Sequence, residues 1–147
     1  MTIKLFTIGF TQTTAEFFFS RLKDNKVNVL LDIRLHPDGQ LSGFAKKNDL
    51  EFFLKELIQC RYIHLPRLAP TDDILHAYRT NKDWQSYTQL YESLLESRGI
   101  PDTLDRTLFE ENLCCFLCSE AKPTKCHRRL AAERMARYWG NLTITHI

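Results

Sequence analysis

The residue types best suited to chemistry are concentrated in a short segment that reads CSEAKPTKCHRR from residue 118 to residue 129. Cys118 could act as a nucleophile, because a nearby histidine, arginine or helix N-terminus lowers the pKa of a thiol. Glu120 could transfer protons in the same reaction. The structural alternative is that Cys118 is only a small apolar residue that ends a buried strand. We treat Cys118 and Glu120 as catalytic candidates.

Basic residues make the end of this segment a candidate anion site. Six lysines or arginines and one acidic residue lie between residues 122 and 137, although the net charge of the whole chain is only +2. We expect His127 and Arg128, at the start of a predicted helix, to bind an anion with the help of the helix N-terminus. Arg137 lies about 13 Å further along that helix and should contribute little. We expect Arg129, Arg134 and Arg137 to form a solvated face.

A second group of candidates follows two predicted strands. Asp32 and Arg34 are two residues apart, so both side chains leave the same face of a strand end. Arg34 could bind an anion while Asp32 orients it or acts as a base; the alternative is a structural ion pair. His64 ends another strand, where it could transfer protons or serve as a hydrogen-bonded structural residue.

The cysteines also raise the question of a metal. Cys115 and Cys118, followed by Cys126 and His127, are similar to a set of zinc ligands. However, Cys115 and Cys118 are an odd number of residues apart on a predicted strand, so they face opposite sides. Cys126 and His127 are adjacent and are expected to diverge. We therefore expect no metal and no cofactor, and we expect Cys126 to line the pocket, packed locally or paired with Cys118.

Alternating strands and helices predict how these residues are positioned. The pattern favours a single three-layer α/β domain over residues 1–147, Rossmann-like, with a mostly parallel sheet of about five strands and helices on both faces. Strands are predicted at 3–7, 27–33, 62–65, 113–117 and 142–147. Helices are predicted at 13–24, from 48 to about 58, and at 72–79, 83–98, 101–110 and 127–139, and a loop at 35–47.

The carboxyl edge of such a sheet is where ligands bind. Four predicted strands deliver polar or small residues to this edge: Gly9 and Thr11, Asp32 and Arg34, His64, and Cys118 and Glu120. We therefore predict that one pocket brings together Asp32, Arg34, His64, Cys118, Glu120, His127 and Arg128, and that Gly9, Thr11 and Cys126 line it.

Composition narrows the function classes. The chain has 147 residues, 44% apolar and 26% charged, which is ordinary for one globular domain. Its small net charge does not suggest a general polyanion binder. Four of the five cysteines lie within 13 residues, which favours reduced thiols and a cytoplasmic location over a disulfide scaffold. No signal peptide or membrane span is apparent, so we expect no membrane partner.

Several segments together resemble the domain of unknown function family 488. They are Thr7-Ile8-Gly9-Phe10-Thr11, Leu31-Asp32-Ile33-Arg34 with Pro37, Tyr62-Ile63-His64-Leu65-Pro66, Leu117-Cys118-Ser119-Glu120-Ala121 with Cys126-His127-Arg128, and His146-Ile147. The resemblance implies a three-layer α/β fold and no settled activity. The loops at 35–39 and 68–70 depart from the family pattern, and both would border the pocket. A weaker likeness to rhodanese-type sulfurtransferases is an analogy only, because Arg128 lies ten residues beyond Cys118.

These features favour a small enzyme, a hydrolase or transferase, or a ligand-binding protein that holds a phosphate-bearing or other anionic small molecule, including nucleotides. One alternative is a nucleic-acid-associated module that uses the basic last helix. Another is thiol or sulfur transfer through Cys118. A concave pocket would favour an enzyme, whereas a broad basic face and steep salt dependence would favour nucleic acid.

Overall fold

The predicted parallel sheet is confirmed. The structure is a computed structural model that describes residues 2–147. Its strands are β1 (Ile3–Gly9), β2 (Val29–Asp32), β3 (Arg61–His64), β4 (Cys114–Cys118) and β5 (Leu142–His146). All pairings are parallel, in the order β3-β2-β4-β1-β5. Asp32 pairs with His64 and Leu117, and Gly9 pairs with Cys118, so these strand ends share one edge.

Within residues 2–147, six α-helices connect the strands, close to their predicted positions. They are α1 (Ala15–Asp24), α2 (Lys47–Ile58), α3 (Asp72–Asn81), α4 (Trp84–Ser97), α5 (Arg106–Glu111) and α6 (His127–Trp139). The N-cap of α1 is Thr14, whose side chain accepts a hydrogen bond from the Phe17 N–H, so the helix begins later than residue 13. Asp105 caps α5, which is therefore shorter than predicted. The predicted loop at 35–47 contains a 3₁₀ segment, Gln40–Ala45.

Each face of the sheet carries its own hydrophobic core. Alternate residues of β4 show the division: Cys114 and Phe116 pack on one side, and Cys115 and Leu117 on the other. The first core includes residues of α3, α4, α5 and α6, and the second includes residues of α1 and α2. Strands buried on both faces explain the nearly continuous apolar runs at β2 and β4.

The segment between β3 and β4 contains α3 and α4, which lie on one face of the sheet and reach its carboxyl edge. The Tyr91 hydroxyl donates a hydrogen bond of 2.6 Å to the Leu68 carbonyl, which fixes α4 to the turn after β3. Tyr78 of α3 packs against Trp84 and Tyr87 of α4. This pair of helices forms one wall of the site described below.

In the part of the chain that the structure describes, no helix is long and apolar enough to cross a membrane.

Candidate functional site

A cavity of about 310 Å³ lies at the carboxyl edge of the sheet. Five residues predicted from the sequence line it: Arg34, Cys118, Glu120, Cys126 and His127. The other predicted residues lie elsewhere at this edge. Asp32, His64 and Arg128 lie outside the lining, and Gly9 and Thr11 lie beside a different depression, next to α1.

Asp32 and Arg34 form a buried ion pair beneath the cavity. The Asp32 carboxylate accepts hydrogen bonds from Arg34 Nε at 2.8 Å and from Nη2 at 2.7 Å. The Tyr62 hydroxyl donates a third, at 2.5 Å, and burial together with this carboxylate raises the pKa of Tyr62 above its usual range. Arg34 Nη2 also donates to the Ala45 carbonyl. Arg34 Nη1 is buried and has no partner among residues 2–147.

His64 supports the backbone of this region. Its Nε2 donates a hydrogen bond of 2.8 Å to the Arg34 carbonyl oxygen, since a carbonyl can only accept. The side chain is half-buried and does not line the cavity. The proton-transfer role predicted for His64, like that for Asp32, stays a prediction.

Arg128 has a different position from the one expected of an anion-binding side chain. Only 1% of Arg128 is exposed, and its guanidinium lies under the 119–126 loop, which joins β4 to α6. Nη1 donates to the Glu120 carbonyl and, at 3.3 Å, to Cys118 Sγ. Nε donates to Thr7 Oγ1, and Nη2 to the Ala121 carbonyl. Burial lowers the pKa of Arg128, and no carboxylate of the described chain lies within ion-pair distance of it.

Gly9 and Thr11 hold the same loop from the other side. A Cβ atom on Gly9 would lie 1.7 Å from the Glu120 carbonyl oxygen and 2.7 Å from Arg128 Nη1, so only glycine fits here. Thr11 Oγ1 donates a hydrogen bond of 2.7 Å to the Ser119 carbonyl. Both residues therefore shape the loop, whereas the sequence predicted that they line the pocket.

Cys118, Cys126 and His127 form a compact group in the cavity wall. The sulfurs of Cys118 and Cys126 are paired as a disulfide. One ligand atom from each of the three residues lies within 4.8 Å of the others, so the expectation that Cys126 and His127 diverge is wrong. Cys115 packs in the core against α1 and α2, and the expectation that it faces away from Cys118 is confirmed.

The structure adds lining residues that sequence reasoning did not place there. Arg79 and Lys82 come from the end of α3 and the turn after it, and Lys125 comes from the 119–126 loop. Tyr78, Trp84 and Tyr87 supply an aromatic wall, in which the rings of Trp84 and Tyr87 are stacked with centroids 5.0 Å apart. Trp84 and Tyr87 follow helical spacing in the sequence, which predicts that they share a helix face but not that this face borders the cavity.

The basic residues further along α6 are paired with glutamates. Arg134 is buried and contacts Glu92 and Glu96, so the expectation that it belongs to a solvated face is wrong. Arg137 also contacts Glu92, at 3.3 Å. Arg129 pairs with Glu133 one turn along the helix.

Comparison with curated proteins gives no match, and comparison with solved structures also gives none. Comparison with protein families gives a match over residues 14–135, to the family described as domain of unknown function DUF488. The matched stretch includes every lining residue of the cavity and leaves out Gly9, Thr11 and His146. Because the match covers most of the sequence, the chain belongs to the DUF488 family.

Proposed function

We propose that the protein binds a small phosphate-bearing molecule with a flat ring, of the mononucleotide type, in the cavity at the carboxyl edge. The charge of the lining carries this proposal. Four lining residues are lysines or arginines, and Glu120 is the one carboxylate among the lining residues. This excess of positive charge in a concave site favours an anionic ligand.

The end of α6 at the cavity adds to this preference. His127 is the first residue of the helix, and in the part of the chain that the structure describes the side chain of the N-cap residue, Cys126, makes no capping hydrogen bond. Within the described chain, the backbone N–H groups of His127 and Arg128 donate to no backbone acceptor. Free N–H groups and the helix dipole both favour an anion at this end.

Arg34 supplies a further donor. Its charge is neutralised by Asp32, but its Nη1 remains buried without a partner beside the cavity. A buried donor without an acceptor costs about 1–3 kcal/mol, so a ligand oxygen that accepted from it would gain affinity. Long-range attraction would come from Arg79, Lys82 and Lys125, which have no ion-pair partner in residues 2–147.

The aromatic wall favours a ligand that carries a flat ring. Tyr78, Trp84 and Tyr87 line the cavity on the side of α3 and α4. Aromatic faces stack on nucleobases, and such stacking contributes about 1–3 kcal/mol per base. A cavity of about 310 Å³ lies at the small end of the range for small-molecule sites. If the protein is an enzyme, Glu120 is positioned to transfer protons to or from this ligand.

The nucleic-acid alternative has less support. A nucleic-acid face needs unpaired basic side chains spread over a surface. Arg129, Arg134 and Arg137 instead contact Glu133, Glu92 and Glu96, which reduces the positive charge of α6.

Thiol or sulfur transfer through Cys118 needs a free sulfur, and this sulfur is paired with Cys126. That alternative therefore applies only to the reduced protein.

Calorimetric titration with three small ligands tests the proposal. Adenosine 5′-monophosphate should bind more tightly than ribose 5-phosphate, which lacks the ring, and more tightly than adenosine, which lacks the phosphate. Lys82→Gln and Arg79→Gln should each weaken binding of the monophosphate about two- to tenfold. Lys55→Gln, an exposed change on α2, is the matched control and should have no effect.

Two results would contradict the proposal. One is equal affinity for the monophosphate in the Lys82, Arg79 and Lys55 variants. The other is saturable binding of a short oligonucleotide, with a steep dependence on salt, when none of the small ligands binds.

A further inference from the structure

We propose that, when Cys118 and Cys126 are reduced, the protein binds one zinc ion through the Cys118 and Cys126 sulfurs and the His127 ring. This inference goes beyond the proposed function, because it concerns different atoms and does not require a bound anion. It also replaces the expectation from the sequence that no zinc binds, since the structure removes one of the two reasons for that expectation.

The first support is the position of the three donors. One ligand atom from each residue lies within 4.8 Å of the others. Zinc–sulfur bonds of about 2.3 Å and zinc–nitrogen bonds of about 2.0–2.1 Å would place tetrahedral ligand atoms roughly 3.3–3.8 Å apart. The Cα atoms of Cys118 and Cys126 are 7.6 Å apart, wider than the usual disulfide range of about 4.4–6.8 Å. Once the disulfide is reduced, this backbone separation would allow the two sulfurs to move apart and hold an ion between them.

The backbone at the start of α6 explains how adjacent residues face the same ion. Cys126 is the N-cap and has an extended conformation, with φ −142° and ψ 141°. His127 is the first helical residue. The change of backbone conformation between them brings both side chains into the cavity wall, where two neighbours on a regular strand would diverge.

The second support is the orientation of the His127 ring. Its Nε2 lies 2.8 Å from the Ile33 carbonyl oxygen and must donate to it. The Nδ1 lone pair is therefore left for coordination. Histidines that bind metals usually donate their other ring N–H to a carbonyl or carboxylate in this way.

The third support is charge. Arg128 Nη1 lies 3.3 Å from Cys118 Sγ, and this buried guanidinium has no carboxylate partner in the described part of the chain. A thiolate at Cys118 would give it a counter-charge, and the N–H to sulfur contact would orient a coordinated sulfur.

All three ligands line the cavity, so the fourth coordination position would face it. Three protein ligands with one open position are typical of catalytic zinc sites, whereas structural sites are closed by four protein ligands. Glu120 lines the same cavity and could transfer protons to or from a molecule bound there.

Zinc binding requires that the disulfide is first reduced. A dithiol reductant transfers two electrons to the Cys118–Cys126 disulfide and becomes a disulfide itself, while the two cysteines take up two protons. Zinc then displaces one proton from each thiol and coordinates the resulting thiolates. The oxidised protein has no thiolate to offer at this position and should not bind the ion.

Zinc titration in competition with a chromophoric chelator tests this proposal. The reduced wild-type protein should bind one zinc ion per chain, and the oxidised protein none. Cys118→Ser, Cys126→Ser and His127→Gln should each weaken binding by at least about tenfold. Cys60→Ser, which removes a buried thiol from the core on the α1 and α2 side, should leave zinc binding unchanged. Cobalt in place of zinc should give a sulfur-to-metal charge-transfer band that all three ligand changes reduce.

Substoichiometric binding to the reduced wild-type protein would overturn the proposal, and this comparison needs no variant. So would stoichiometric binding that none of the three ligand changes weakens. Titration of the oxidised protein with adenosine 5′-monophosphate in the presence of a chelator tests the anion site separately. Failure of one proposal can therefore be distinguished from failure of the other.

Discussion

Two buried arginines near the carboxyl edge of the sheet differ in their electrostatic surroundings. Arg34 follows β2, is 4% exposed and forms a bidentate contact with the Asp32 carboxylate. Arg128 lies beneath the loop that follows β4, is 1% exposed and contacts only a hydroxyl, a sulfur and two carbonyl oxygens. One guanidinium is neutralised within the fold, and the other is not.

The difference indicates what each region can do. Removing a charge from water destabilises the folded state unless the charge is paired, and neutral hydrogen-bond acceptors offset only part of this desolvation free energy. Around Arg34, the charge is already neutralised by Asp32. One hydrogen-bond donor, Nη1, is left for a ligand. Among residues 2–147, no anion contacts Arg128, and the Cys118 sulfur in contact with it can become one only after the disulfide is reduced.

The largest expected effect comes from removing Arg34. Arg34→Met would leave the fully buried Asp32 carboxylate without its cation, and we expect a loss of about 3–5 kcal/mol in the free energy of unfolding. Adding Asp32→Asn should recover part of this loss, because the unpaired charge is then absent. Urea unfolding measures both variants. A double variant that is less stable than Arg34→Met would argue against a charge-pair origin.

A smaller loss should follow from Gly9→Ala, which acts on the other region. The new Cβ would collide with the Glu120 carbonyl and displace it from Arg128. We expect the unfolding free energy to fall by about 2–3 kcal/mol. Gly39→Ala is a control without a steric clash, since the nearest atom to a Cβ there lies at 3.6 Å and its φ of −59° suits any residue. Equal losses in the two variants would contradict the close approach at Gly9.

Arg128→Met should cost about 1–3 kcal/mol, less than Arg34→Met, because it leaves neutral acceptors rather than a buried charge. Arg137→Met, at the exposed end of the same helix, should change the unfolding free energy by less than about 1 kcal/mol. The comparison between the two regions fails if Arg128→Met proves more damaging than Arg34→Met in the same urea experiment.

The smallest effect is electrostatic and is measured at His146. Burial lowers the pKa of this imidazole below its usual value, and the positive charge of Arg128 lowers it further. Removing the charge with Arg128→Met should therefore raise the pKa of His146, whereas Arg137→Met should not change it. NMR titration of the His146 ring measures the shift. An unchanged pKa would mean that the charge of Arg128 is already compensated.

The part of the site carried by strand ends could be predicted from the sequence. Apolar runs at β2 and β4, together with the turn residues after the strands, indicate a parallel sheet. Parallel strands bring their carboxyl ends to one edge. Asp32 and Arg34 were expected on one face, and their contact confirms it. The polar residues at these ends then had to lie close together.

The rest of the site depends on contacts that local patterns do not specify. Trp84 and Tyr87 follow helical spacing, which predicts a buried face but not which cavity that face borders. Arg128 and His127 are adjacent in sequence, yet one lies under the loop and the other lines the cavity. The signal for this packing was Gly9, whose missing Cβ admits the Glu120 carbonyl, and it could be interpreted only once β1 was paired with β4.

A crystal structure of the protein grown with adenosine 5′-monophosphate tests the central claim most directly. We predict the phosphate at the N-terminus of α6, beside Arg34, and the base against Trp84 and Tyr87. Density for the nucleotide elsewhere, such as the apolar groove between α1 and α2 that Phe19 and Leu57 line, would contradict the account. An empty cavity at saturating nucleotide would contradict it equally.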